Sequence, residues 1–351
     1  MQKFIRKSLS LLLVLTLVLS FAACKKEEKK DDKKPAKTTA VSAVNPLTGT
    51  KLAKKAAGKR PVAAMVENSP AARPQWGLGS PDITIEGLVE GGITRMLWVY
   101  SDPATMPKIG PTRSARIDFL EMAEGLDALY IHFGGAPSAY DALHARGYDD
   151  IDGAGNGNVR GTAKYFDRDS SRMGRGSEHT AFTKGEWIAN AIKDTSVRYD
   201  VKKDYAKPFT FNSKNVKLKG GECSEIKFMF SSSYKHIFKY DSEKNVYLNY
   251  MNTKPMVDEN GKQMAVSNVI LLYFPSYRPI PNTKGSIDMD LSKGTGVIAS
   301  NGTYQDITWT KGGPNDMLKL MDKDGKAIKL NKGKNYIGLI PSKNIGSTTI
   351  S

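Results

Sequence analysis

The chain has 351 residues, 40% hydrophobic and 9% aromatic, and carries a net charge of +16. That length and apolar content exclude a disordered or fibrous chain and suit two domains. The positive charge suits an acidic surface or polymer; an exported chain, as the N-terminus indicates, is not expected to meet nucleic acid.

Lys3, Arg6 and Lys7 form a positive start, and Ser8 to Phe21 is apolar but too short for a membrane span. Ala22-Ala23-Cys24 follows, as in a bacterial lipobox. Residues 1–23 are therefore expected to be a lipoprotein signal peptide, with Cys24 as the lipidation site. Residues 24–44 are expected to be a disordered charged tether, because 25–40 lack large apolar side chains. The partner implied is the membrane, through lipidated Cys24. The location implied is the extracytoplasmic face of the bacterial cytoplasmic membrane. The other cysteine, Cys223, then has no disulfide partner and is expected in the core or a strand.

Basic residue type divides the rest of the chain. Residues 61–198 hold ten Arg and four Lys, against three Arg and 35 Lys elsewhere. Arg is a planar fork that matches carboxylate and phosphate oxygens, whereas Lys is a flexible point charge. The Arg-rich part therefore needs such forks, either for ion pairs that hold the fold or for a ligand.

Within 45–200 the pattern predicts a domain of alternating strands and helices around a mixed sheet. Val62–Val66, Asp82–Glu86, Ile93–Tyr100 and Ala128–Phe133 read as strands. Pro70 and Pro74 mark a loop carrying Arg73. After Ile109-Gly110-Pro111 a helix is expected over Ser114–Glu124, closed by Gly125. Arg113 and Arg116 stand at its start, where acids are normally preferred. Two bases there call for an anion: Glu67, Glu90 or Asp118 from the chain itself, or a ligand. His132 ends the fourth strand, and Gly134-Gly135 turns the chain into a helix over Ala139–Arg146 with a capping-box pattern at Ser138 and Asp141. A strand, a Gly-rich turn and a helix start can admit a phosphate. Residues 149–181 are polar and glycine-rich, a long loop carrying Arg172 and His179, with Asp149, Asp150 and Asp152 expected to be solvated. A helix containing Trp187 and Ile188 closes the domain.

The candidate ligand-binding set is Arg73, Arg95, Arg113, Ser114, Arg116, His132, Gly134, Gly135, Arg172 and His179. His132, Glu67 and Glu90 are the candidates for acid–base chemistry. There is no HExxH, no Cys/His spacing, no GxSxG and no P-loop, so no metal site and no cofactor are expected.

The segments RPVAAMVENSPAARPQWGL, EGGITRMLWVY, IGPTRSAR and IHFGGAPSAY, in this order, resemble the YerB-like lipoproteins of Gram-positive bacteria from about Asn45 to the C-terminus. That resemblance implies an envelope location and a two-part domain of unknown function, not a reaction. Family members often carry Pro-His-Asn where this chain has Glu178-His179-Thr180, so only His179 matches there. A looser likeness, without an alignable motif, is to the LytR-CpsA-Psr phosphotransferases, which pair arginines and aspartates around a polyprenyl pyrophosphate.

Residues 207–351 are Lys-rich and read as short strands between turns, an all-β sandwich- or barrel-like C-terminal domain. The chain as a whole is thus expected to be α+β. Lys284–Tyr304 is expected to be a rim loop. Tyr234, Tyr240, Tyr247, Tyr250, Tyr273, Tyr277 and Trp309 could line a sugar face, but strand aromatics more often belong to a core. Three functions remain open. One is a lipid-anchored protein binding an anionic, phosphate- or carboxylate-bearing envelope ligand, such as a wall polymer or lipid-linked phosphate. A second is an envelope enzyme for phosphoryl or glycosyl transfer. A third is a scaffold with no small-ligand site.

Overall fold

The computed structural model describes residues 43–283 and 285–351. The signal segment, Cys24 and residues 25–40 lie outside the described residues. The described part is mostly strand with few helices.

Strand runs rich in Val, Ile, Met and Trp form where expected, with ends shifted by a residue or two. They are β1 (Val62–Glu67), β2 (Ile83–Leu88) and β3 (Thr94–Tyr100). Helix α1 (Ile117–Gly125) starts three residues later than expected. The cause is visible: Arg113 and Ala115 donate backbone N–H bonds to Met65 and Gly134, which keeps that stretch extended. β4 (Leu129–His132) follows, then α2 (Pro137–Arg146). No capping box forms there, because Pro137 takes the first helical position and Ser138 Oγ has no partner. Gly147, at φ 56°, ends the helix in the left-handed region. β5 (Asp150–Asp152) and α3 (Gly185–Asp194) complete this half.

The Lys-rich half supplies β6 (Glu225–Ser231), β7 (Tyr234–Asp241), β8 (Val246–Met251), β9 (Asn268–Phe274), β10 (Lys293–Ser300), β11 (Thr303–Thr310) and β12 (Asn335–Pro341). β10 corrects the expected rim loop. Gly294 and Gly296 look like turn residues, yet a Cβ at either would collide with the Tyr273 or Leu271 carbonyl on β9. They are there for close strand approach.

One 11-stranded sheet runs Gly221–Glu222, β11, β10, β9, β12, β2, β3, β1, β4, β5, with Lys319–Met321 added beside β11. Strands of the Arg-rich and Lys-rich halves share it through the parallel β12–β2 pair, Ile337 opposite Ile85. A second sheet, centred on β8, β7 and β6, packs on it. Phe238 of β7 meets Tyr336 of β12 with ring centroids 4.8 Å apart. Tyr234, Tyr247, Tyr273 and Trp309 are buried core residues, as is Cys223. Among the described residues no helix is long and apolar enough to cross a membrane.

Candidate anion site

Most arginines of the Arg-rich half hold the fold. Arg60, just before it, is fully buried, bonds to the Asp127, Ala128 and Arg198 carbonyls, and pairs with Asp149 at 2.5 Å. Arg146 bridges Glu121 and Glu124, and Arg198 holds Asp127. Arg172 donates to the Ala72 and Pro74 carbonyls and lies 3.6 Å from the Trp76 ring centroid. Arg73 reaches the Ser69 carbonyl and the Met251 sulfur. Two of the expected ligand residues, Arg73 and Arg172, are thus loop clamps.

Arg95, Arg113 and Arg116 are different. In the β1–β3 ladder Arg95 stands directly opposite Glu67, and in the β2–β3 ladder it stands opposite Gly87. The backbone bonds of Arg113 and Ala115 to Met65 and Gly134 lay the Arg113–Arg116 segment over that end of the sheet. Arg116 occupies the N-cap position of α1, with no side-chain cap. The three guanidinium groups thereby gather beside the unpaired N–H groups of a helix start, the place where extra positive charge is least favoured.

The chain supplies two carboxylates here. Glu90 takes Arg116 in a two-pronged pair, 2.6 Å to Nε and 2.8 Å to Nη2. Ser286 adds a hydroxyl bond to Glu90 at 2.7 Å. Burial pushes the Glu90 carboxyl up, but the Arg116 bonds and charge outweigh it and hold it at about 2. Glu67 is buried and binds His179 Nδ1 at 2.8 Å. Arg113 Nε lies 3.4 Å from the same oxygen, near enough to attract but not aligned for a hydrogen bond. Asp118, the third expected partner, pairs with no arginine. It accepts the Met289 N–H at 2.7 Å, and burial raises its carboxyl well above the usual range.

Arg95 is left over. It is 4% exposed, and among the described residues no carboxylate lies within ion-pair distance of it. Its one hydrogen bond is from Nη1 to the Ser114 carbonyl at 2.8 Å, and its Nε is unpartnered. Burial, then Arg116 and Arg113, push its guanidinium down to about 9. Nearby hydroxyls also lack partners: Thr112 Oγ1 beside Arg113, and Ser69 Oγ two residues past Glu67. Buried polar atoms of native proteins usually have a partner, whether protein, water or ion.

His132 does not join this cluster. It is fully buried, with Nε2 3.0 Å from Asp150, Nδ1 2.8 Å from the Gly134 carbonyl and 3.5 Å from Asp152. Asp150 and Asp152, expected to be solvated, are fully buried instead. On β5 they are brought beside β4 by parallel pairing, His132 opposite Asp152, and Asp152 also binds the Gly134 N–H and the Tyr140 hydroxyl. The Gly134-Gly135 turn is thus occupied by protein groups: Gly134 faces Asp152, and Gly135 lies against the Tyr140 ring. Ser114 contributes its carbonyl rather than its hydroxyl to Arg95.

A second polar cluster lies back to back with the first. Successive strand residues point to opposite faces, so Glu86 and Thr94 face away from Gly87 and Arg95. Glu86, fully buried, accepts from Asn68 at 2.9 Å, Thr94 at 2.6 Å and Tyr336 at 2.9 Å, and meets His236 Nε2 at 3.2 Å. Burial opposes ionisation of Glu86, but the charge and bond of His236 and the Thr94 and Tyr336 hydroxyl bonds outweigh it and lower its carboxyl. Gln75 links the two faces, donating to the Glu67 carbonyl and to Asn68 Oδ1 at 3.0 Å each. The sequence signal for this cluster was the Glu86-Gly87 and Thr94-Arg95 alternation, but its His236 partner lies 150 positions away.

An arginine cluster on one face of a large mixed sheet, completed by strands from both halves, defines a two-part strand-rich protein built around one shared sheet. Residues 47–198 match the N-terminal domain, and 225–337 the C-terminal domain, of the family described as protein of unknown function DUF3048. The chain belongs to that family. It is 28% identical over 312 residues to the Bacillus subtilis (strain 168) protein named "Putative lipoprotein YerB", covering 86% of this chain and 87% of that one. The crystal structure of the YerB protein from Bacillus subtilis superimposes with a TM-score of 0.74 at 28% identity, covering 88% of this chain and 99% of that one.

Proposed function

We propose that this protein is a lipid-anchored envelope protein that binds an anionic, phosphate- or carboxylate-bearing group at Arg95, Arg113 and Arg116. The single observation that carries this reading is Arg95. A buried guanidinium without a carboxylate, flanked by two more, is unfavourable until an anion arrives. Arg113 and Arg116 are partly exposed and give the approach. The anchor follows from the lipobox-like Ala22-Ala23-Cys24 and from the lipoprotein named among its relatives.

Titration with inorganic pyrophosphate tests the site. Wild type binds, and affinity falls with added salt. Arg113→Ala and Arg116→Ala each weaken binding about tenfold or more, as loss of a charge-assisted bond does. Equal heats from wild type and both variants would remove the site. Membrane fractionation of Cys24→Ala after a high-salt wash, which releases charge-held protein, tests the anchor, which fails if that variant stays in the pellet.

The Glu67–His179 pair favours a second reading, transfer chemistry on a bound phosphate. Glu67 fixes one ring nitrogen of His179, and the ring is partly exposed. A carboxylate-oriented histidine beside an anion site is how a general base is held. Turnover of a lipid-linked phosphate that His179→Gln abolishes while pyrophosphate still binds would support it; binding without turnover in wild type would end it. His132, sealed between Asp150 and Asp152, is not available for that step.

A further inference from the structure

The face at which the folded part begins carries a cleft of about 380 Å³ floored by Leu52, Ala56, Pro46, Pro61 and Val201. Val44 at its rim is 64% exposed, and the Tyr205 hydroxyl is buried without a partner. Lysines surround it. Lys59 and Lys207 line it; Lys51 is paired across the short ladder with Val44; Lys54 and Lys55 lead into Ala56; Lys202 and Lys203 follow Val201. All but Lys59 are exposed. Asp200, which pairs with Lys59 at 2.6 Å, and Asp204 are the acids in these segments. Seven lysines against two aspartates leave five unmatched positive charges around an apolar cleft.

Eighteen residues, 25–42, join Cys24 to this face. At 3.3–3.6 Å per residue they span at most roughly 65 Å. The chain enters the described residues at this face, within that reach of Cys24.

We propose that this face is a second membrane contact, docking on an anionic phospholipid surface with its lysines over the headgroup phosphates and Val44 at the apolar boundary. The proposal rests on the anchor reading for its geometry, though the surface can be tested without the lipid. Each lysine near an anionic bilayer is worth about 1 kcal/mol, so a handful converts a tether into a fixed orientation. That orientation decides which way the arginine cluster faces. A soluble anionic polymer would be drawn by the lysines alone, and the exposed Val44 and the apolar floor favour the bilayer over it.

The test uses the mature chain carrying Cys24→Ala, sedimented with phosphatidylcholine vesicles with and without phosphatidylglycerol. The expected result is binding only to the anionic vesicles, lost in high salt. Lys54→Glu, Lys55→Glu, Lys202→Glu and Lys203→Glu together should weaken it more than about tenfold, with unchanged circular dichroism. Val44→Asp should weaken vesicle binding while leaving binding to soluble polyglycerol phosphate unaffected. The proposal is overturned if the parent ignores anionic vesicles. It is equally overturned if the fourfold variant binds as well as the parent, which would assign the attraction to the lysines of 25–40. Soluble polymer bound as tightly as vesicles, with no effect of Val44→Asp, would assign the face to a polymer instead. The anchor reading is judged separately, by whether wild type and not Cys24→Ala resists a high-salt wash of the membrane pellet, and its failure would leave these vesicle results unchanged.

Discussion

Arg95 and Glu67 stand directly opposite each other across the β1–β3 ladder, yet they form no ion pair. Glu67 turns to His179 and Arg113 instead, and Arg95 has the Ser114 carbonyl alone. Opposite charges at facing positions normally find each other. Here the carboxylate is engaged and the guanidinium is left facing two of its own kind. Arg60 shows how the same chain treats a structural arginine, with an ion pair and three carbonyls around a fully buried group.

Replacement of Arg60 by Met should therefore be strongly destabilising. It strips Asp149 and the Asp127, Ala128 and Arg198 carbonyls of their buried donor and leaves Asp127 with Arg198 alone, and breaking such a buried arrangement costs about 3–5 kcal/mol. Denaturant unfolding should show that drop. A loss below about 1 kcal/mol, the size of an exposed pair, would contradict it.

His132 is expected to act on stability rather than on chemistry. His132→Ala strands Asp150 and Asp152 in a sealed site and should cost about 3–5 kcal/mol. Thermal unfolding would show it, along with loss of pyrophosphate binding only in the fraction that unfolds. A folded, normally stable His132→Ala protein would contradict the buried placement.

Asp118 predicts a gain. Burial raises its carboxyl above the ordinary 3.8, with Asp288 and Glu121 adding to the rise. A raised acid contributes stability while both states are protonated. That contribution is lost as pH climbs above the unfolded value of about 4. Asp118→Asn keeps an acceptor for the Met289 N–H and removes the titration. It should raise Tm at pH 7 and change it little at pH 3. A lower Tm at pH 7 would show that Asp118 is held ionised.

Glu90 predicts the opposite pH dependence. Its carboxyl is lowered from 4.5 to about 2. The stability it contributes is complete above pH 4.5 and is lost as pH falls toward 2. With partial exposure discounted, about 1–2 kcal/mol is at stake. Wild type should lose that much more than Glu90→Gln between pH 5 and 2, about the interval of the lowered carboxyl, in urea unfolding. Parallel pH curves would contradict the Arg116 pair.

Much of this was legible in residue order. The first four strands of the Arg-rich half, α2, α3, the arginine pair at a helix start and two of its carboxylate partners all follow from local pattern. Three things were not. β10 was hidden because Gly294 and Gly296 carry the composition of a turn while serving close packing. Asp150 and Asp152 read as solvated because nothing local shows that β5 lies beside β4. The Glu86–His236 cluster joins residues 150 positions apart, and the shared sheet depends on β12 pairing with β2 across a still longer separation. Each failure is one of long-range pairing, which hydrophobic periodicity does not encode.

The most direct test of the anion site is thermal unfolding of Arg95→Met beside wild type, with and without inorganic pyrophosphate. A guanidinium lowered to about 9 costs folding stability at all pH values below that, so removing it should not weaken the unliganded protein. The predicted result is an unliganded Tm equal to wild type or about 2–4 °C higher, with the pyrophosphate-induced rise seen in wild type abolished. A fall of several degrees without ligand, or a rise with pyrophosphate that survives the substitution, would show that Arg95 serves the fold and not an anion.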